Sequence, residues 1–240
     1  MTANYKIRSI RKKSFPGITA PVACSLDAIL KFDSAESPFC VYSELVSLRL
    51  AQTFHIPVAS GVLTTTSGGE SYASIELGAP GLRLPDLLPP QYENVASHYA
   101  DEAAALVVFD IFIGNWDRGS NIKASLVTPH LPIFQGFDHE HGLLGVENDP
   151  IMSIERLAKP DLIVLNHPFY RFVSGALVTK WVERIFQVDD VMIRECCELK
   201  RPLRTVNLDM QGNLADALCK RKLHLSQIIS SNITKIKSWR

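Results

Sequence analysis

The sequence predicts an α+β protein of two lobes, a small β-rich N-terminal lobe carrying one helix and a mostly helical C-terminal lobe. Three observations lead there. The first part of the chain reads as short strands joined by Pro, Gly and Ser turns, with one segment at helical spacing among them. A proline-containing stretch, GAPGLRLPDLLPP, marks a composition shift near Gly78. Beyond it, apolar residues recur mostly at helical spacing. The expected divisions are residues 1–78, a hinge or linker over 79–91, and residues 92–240.

Pro16, Gly17 and Pro21 punctuate the start, and an apolar strand ending in Ala28-Ile-Leu-Lys31-Phe32 follows. SPFCVYSELVSLRLAQTFHIP predicts a helix, with Ser37 as N-cap, Pro38 at the first helical position and Pro57 as the stop. Val41, Leu45, Leu48 and Ala51 or Gln52 form its inward stripe. VASGVLTTT and SYASIELG read as two strands turned at Ser67-Gly68-Gly69. Residues 92–113 read as one long helix, followed by the loop GNWDRGSN. IKASLV and LPIFQGFD then read as a hairpin turned at Thr128-Pro129-His130. The remainder is expected to be helical, broken at Pro160, Pro168, Pro202 and Gly212.

Composition narrows the classes. The 240 residues carry no formal net charge, which argues against a general nucleic-acid binder, because neutralising phosphates requires a cationic excess. The basic clusters at 11–13 and 220–222 read as solvated surface. An apolar fraction of 46% suffices for a core. The longest apolar stretch, 103–114, is interrupted by Asp110 and is shorter than the roughly 20 residues needed to span a bilayer. Five cysteines without a C-x-x-C suggest neither a zinc framework nor a redox motif, and with no signal-peptide pattern the expected location is cytoplasmic.

The chemistry concentrates in FDIFIGNWDRGSNIKASLVTPHLPIFQGFDHEHG. Asp117 follows an apolar helix, Asn121 leads into a strand, and Asp138 ends the next strand. A hairpin would bring Asn121 and Asp138 to the same end. Phosphoryl transfer uses hard oxygen ligands for Mg²⁺ and a carboxylate that receives or orients the acceptor hydroxyl. An Asp base, an Asn ligand a few residues on and an Asp ligand after a hairpin is the order found in protein kinases. This assigns Asp117 as base, and Asn121 and Asp138 as metal ligands.

NWDRGSN…FDH resembles the catalytic and metal-binding segments of HipA-like kinases, over roughly residues 8–145. That resemblance implies a protein-kinase-like fold and an ATP- and Mg²⁺-dependent phosphotransferase, with Ser or Thr as acceptor. It implies that FPGITAPV, with Gly17, is the phosphate-side turn, and that Lys31 contacts ATP with Glu44 as its acidic partner. Backbone groups at Glu76, Leu77 and Gly78 would hold the adenine. Expected partners are ATP and an unidentified protein or small-molecule acceptor, with neither nucleic acid nor membrane. Arg118 is expected to pair with a carboxylate or carbonyls near the base, and His139 to orient the Asp138 loop.

Two departures keep a catalytically weak, nucleotide-binding regulator in play. Asn121 follows Asp117 by four residues rather than five, and the N-terminal turn holds one glycine. The run Asp138-His-Glu-His141 also admits a metal-dependent phosphohydrolase, although neighbouring side chains diverge and no H-E-x-x-H occurs.

Overall fold

A computed structural model describes residues 7–14, 21–76, 84–126 and 133–237. Gly17, Leu77, Gly78 and the turn at 128–130 lie outside the described residues. Strands β1 (Ile7–Ser14) and β2 (Val22–Leu26) pair antiparallel. Strand β3 (Ala28–Lys31) precedes helix α1 (Cys40–Phe54), and β4 (Gly61–Thr66) and β5 (Gly69–Ile75) form the expected hairpin. The sheet order is β3-β5-β4, all antiparallel, with Lys31 opposite Tyr72.

Helix α1 forms where its spacing places it, but its cap differs. The side chain of Ser37 does not cap it. The Asp33 carboxylate accepts from the Val41 amide at 2.9 Å, and a turn through the Ser37 carbonyl places Phe39 at the N-cap. His55, at φ 61°, ends the helix in the left-handed conformation just before Pro57. The inward stripe is wider than expected, because Tyr42, Glu44, Val46, Leu50 and Phe54 are buried along with Val41, Leu48 and Ala51. The helix is packed on several sides, by β4, β5 and a later helix over Asp190–Cys197.

The 92–113 region is two helices, α2 (Tyr92–His98) and α3 (Ala100–Ile113), rather than one. Tyr99 breaks them at φ −118°, ψ 50°; its hydroxyl donates to the Ser125 carbonyl, and its ring packs on Phe134. Those tertiary contacts outweigh local helix propensity. Every residue of α3 from 103 to 113 is buried. Gly114 ends it at φ 74°, and a Cβ there would lie 2.9 Å from the Val146 side chain, so both backbone and space require glycine.

Strands β6 (Ile122–Ala124) and β7 (Phe134–Gly136) pair antiparallel. On its other side β7 meets the segment after α1: the Gly136 amide donates to the Pro57 carbonyl at 3.0 Å, and the Ala59 amide donates to the Gly136 carbonyl at 2.8 Å. The hairpin is thereby joined to the chain leaving α1. Helices α4 (Pro150–Leu157), α5 (Gly175–Gln187), α6 (Asp190–Cys197) and α7 (Leu208–Ser231) begin at the side-chain caps Asp149, Ser174, Asp189 and Asn207. A short α8 (Ile233–Lys237) follows.

Two expectations for this half are corrected. Gly212 lies within α7, where the cost of one glycine, about 1 kcal/mol, is outweighed by burial of Leu214, Leu218, Leu225 and Ile228. Residues 220–222 are not all solvated surface. Helical spacing carries Arg221 and Lys222 to the side of Leu218 and Leu225. Arg221 is fully buried and donates to the carbonyls of Ile111, Leu157, Lys159 and Asp161. Burial lowers its pKa to about 10. Lys222 donates to the Val188 carbonyl and pairs with Asp190. In α5, Trp181 and Ile185 join the core, while Phe186 is exposed.

Candidate functional site

The site begins with a lysine at the end of a strand. Lys31 closes β3, and its ammonium lies 2.5 Å from Glu44 Oε1 and 2.6 Å from Asp138 Oδ1. Glu44 comes from the first turns of α1, and it is 3% exposed. The same Oε1 accepts from the His139 amide at 2.9 Å, while Oε2 faces His139 Nδ1 at 3.5 Å. Burial alone would push the Glu44 carboxyl up. The His139 hydrogen bond and the Lys31 ammonium outweigh it and hold the group at about 2. For Lys31, burial opposes the charge, but Glu44 and Asp138 outweigh it and raise the pKa. One carboxylate therefore ties β3, α1 and the segment after β7 into a single charged cluster.

Asp138 does not end a strand. Strand β7 stops at Gly136, and Asp138 lies two residues on at φ 61°, a left-handed conformation that Asp tolerates better than most residues. Asn121 sits at the same end of the hairpin, since the Phe137 amide donates to the Asn121 carbonyl at 3.1 Å. The Asn121 side chain donates to the Asp117 carbonyl at 2.9 Å, closing the loop between them. Asp117 itself is exposed. Glu76 follows β5, and its amide is bound by the Asp27 carbonyl at 2.9 Å.

The loop is held from below by Arg118, which is fully buried. Its Nε and Nη2 each donate to the Asp110 carboxylate at 2.7 Å, a two-pronged pair. Its Nη1 donates to the Asn121 carbonyl at 3.1 Å and to the Phe137 carbonyl. One guanidinium thus fixes the backbone at Asn121 and next to Asp138. Asn115 donates to Asp110 at 3.2 Å, and His167 Nε2 lies 3.0 Å from it. Burial would raise the Asp110 carboxyl, but Arg118 and His167 hold it well below the usual carboxylate range; burial pushes His167 down. From the other side, the Tyr92 hydroxyl donates to the Gly119 carbonyl at 3.1 Å.

Sequence reasoning missed Asp110, His167 and Tyr92 as supports of this loop. Asp110 carried a usable signal: a lone acid inside an apolar helix must find a partner, because an unpaired buried charge is very costly. His167 and Tyr92 carried none, since their contacts cross 57 and 27 positions of sequence.

The two histidines and two acids of the 138–141 run diverge as their adjacency requires. His139 turns to Glu44 and His141 stacks on Trp116, with ring centroids 4.5 Å apart. Among the described residues, no group of three or more His, Cys, Asp or Glu is arranged to hold a metal ion. Among the described residues, no helix is long and apolar enough to cross a membrane.

N-terminal sheets, an intervening buried helix and a helical C-terminal part make this a mixed α+β architecture of the bilobal kinase type. No protein-family model matches the sequence, and no curated protein matches it. Among solved structures, it is similar to the Helicobacter pylori proinflammatory kinase CtkA, with a TM-score of 0.58 and 15% identity over 96% of this chain and 95% of that one. It is also similar to HipA from Shewanella oneidensis MR-1, solved in a toxin–antitoxin complex with HipB and operator DNA, with a TM-score of 0.57 and 14% identity. That match covers 92% of this chain but 62% of the HipA chain. At these identities the likeness is one of fold.

Proposed function

We propose that the protein is an ATP- and Mg²⁺-dependent phosphotransferase whose acceptor is a Ser or Thr hydroxyl. The observation that carries this reading is the cluster in which Lys31 meets Glu44 at 2.5 Å and Asp138 at 2.6 Å, at the hairpin end that also holds Asn121. A lysine raised by two carboxylates stays charged, and so is suited to triphosphate oxygens. The donor set fits a magnesium nucleotide: Asp138 and the Asn121 amide oxygen are hard ligands. Bound ATP supplies the transferable phosphoryl group. Lys31 orients its phosphates, Glu44 holds Lys31 in place, and the region of Glu76, Leu77 and Gly78, with the turn at Gly17, would hold the adenine and the phosphates. Asp117 receives the acceptor proton as the hydroxyl oxygen bonds to the γ-phosphorus and the bond to ADP breaks.

Full-length protein incubated with γ-labelled ATP and Mg²⁺ tests this, through autophosphorylation and labelling of Ser/Thr peptides. Asp117→Ala is expected to lower the rate about 10²–10⁴-fold, as for loss of a general base, with nucleotide binding retained in a thermal-shift assay. Asp138→Ala is expected to abolish the rate and the Mg²⁺-dependent part of the thermal shift. Wild-type protein that shows no shift with millimolar ATP sinks the reading.

A second reading, a nucleotide-binding regulator with weak catalysis, is favoured by the four-residue Asp117–Asn121 spacing and by the Asn121 amide being turned to the Asp117 carbonyl. An ATP-dependent thermal shift without label transfer would favour it. The phosphohydrolase reading loses its histidines, which face Glu44 and Trp116.

A further inference from the structure

The loop that carries Asp117 exposes an aromatic ring. Trp116 is 45% exposed, although burying an indole is strongly favourable. It directly precedes Asp117, and consecutive Cα atoms are only about 3.8 Å apart. Its ring is held rather than loose, because His141 lies against it with centroids 4.5 Å apart and planes at 34°. Behind His141, Glu140 Oε1 lies 3.5 Å from the imidazole Nε2. Trp116 therefore keeps its surface open to solvent on a braced support, with one carboxylate beside it in the chain and another beside its stacking partner.

The charges around it are uneven. The nearby cations are already bound: Lys31 to Glu44 and Asp138, Arg118 to Asp110. Among the described residues, no lysine or arginine pairs with Asp117 or Glu140. A braced indole face, with a carboxylate on the next residue and another against its stacking partner, neither paired with Lys or Arg, is complementary to a cation that carries apolar stem, which is the chemistry of a lysine or arginine side chain.

We infer that Trp116, His141 and Glu140 form the acceptor-side recognition wall and take a Lys or Arg side chain of a peptide acceptor. This rests on the phosphotransferase reading, because it needs Asp117 to mark where the hydroxyl arrives. An extended peptide advances about 3.3 Å per residue, so the basic side chain falls within about three residues of the phosphorylated Ser or Thr. Trp116 supplies the face over which the cation sits, His141 holds the indole at that angle, and Glu140 supplies the opposing charge.

The test compares two synthetic peptides of equal length, each with one central Ser and one Thr, flanked by Arg and Lys in one and by Glu in the other. The readout is the ratio of kcat/KM for the basic over the acidic peptide, measured within each variant, so that differences in folding or intrinsic rate cancel. Wild type is expected to favour the basic peptide by on the order of tenfold or more, the size of a cation–π contact plus an exposed ion pair. Trp116→Ala should bring the ratio toward one, Trp116→Phe should retain part of it, and Glu140→Lys should invert it. A wild-type ratio near one, or an unchanged ratio in Glu140→Lys, overturns the assignment. Autophosphorylation with neither peptide used also overturns it, while leaving the phosphotransferase reading intact. Absence of any ATP-dependent thermal shift removes both.

Discussion

Replacing Arg118 by Met is the sharpest single perturbation of the site's foundation. The substitution preserves volume approximately but deletes both bonds to Asp110, at 2.7 Å each, and the bonds to the Asn121 and Phe137 carbonyls. Asp110 has no exposure, so it would be left with Asn115 and His167 alone. Breaking one side of a buried ion pair costs about 3–5 kcal/mol, and each lost carbonyl bond adds roughly 1 kcal/mol. The sum, about 5–7 kcal/mol, approaches the whole stability of many domains. At about 2–4 °C per kcal/mol for a chain of this size, the melting temperature should fall by at least 10 °C or so. Thermal unfolding of Arg118→Met, Asp110→Leu and the double variant measures it. The double variant removes both charges and should recover about 3 kcal/mol relative to the sum of the singles. A loss below about 1 kcal/mol in Arg118→Met, or strict additivity in the double variant, refutes the account.

Two further outcomes follow from the same geometry. The folded pKa of Glu44, about 2, lies below its ordinary value of 4.5, so its contribution to stability is present above about pH 4.5 and is lost as pH falls toward 2. The stability gap between wild type and Glu44→Gln should therefore narrow on acidification through that window; a gap constant with pH would contradict the ion-pair cluster. Gly145→Ala would place a Cβ 1.8 Å from the Glu140 carbonyl oxygen, so it should destabilise by about 1–3 kcal/mol, read as a lower melting temperature; an unchanged value would show that the 140–145 turn yields freely.

Much of the fold could be read locally. The β4–β5 hairpin, helix α1 and the loop after α3 are written in turn residues and apolar spacing, which act within a few positions. The pairing of Asn121 with the Asp138 end of the hairpin was legible for the same reason. What escaped depends on distant partners. Tyr99 breaks a helix because Ser125 and Phe134 wait for it. Arg221 is buried because several carbonyls from residues 111–161 converge on it. The depth at which Glu44 is buried depends likewise on distant cover, from β3 and the His139 amide. Such cases are set by tertiary packing, which overrides composition and periodicity.

Helix α1 is also fastened from behind. The Tyr42 hydroxyl donates to the Cys197 carbonyl at 2.9 Å, Arg49 donates to the Glu195 carbonyl, and Arg184 donates to the Phe54 carbonyl at 2.8 Å. These anchors lie on α6 and α5, far along the chain, so the helix is held by the C-terminal half as well as by β4 and β5. Glu44 then acts as a stationary post. Lys31, at the end of β3, is tied through that post to helices from the opposite half of the sequence.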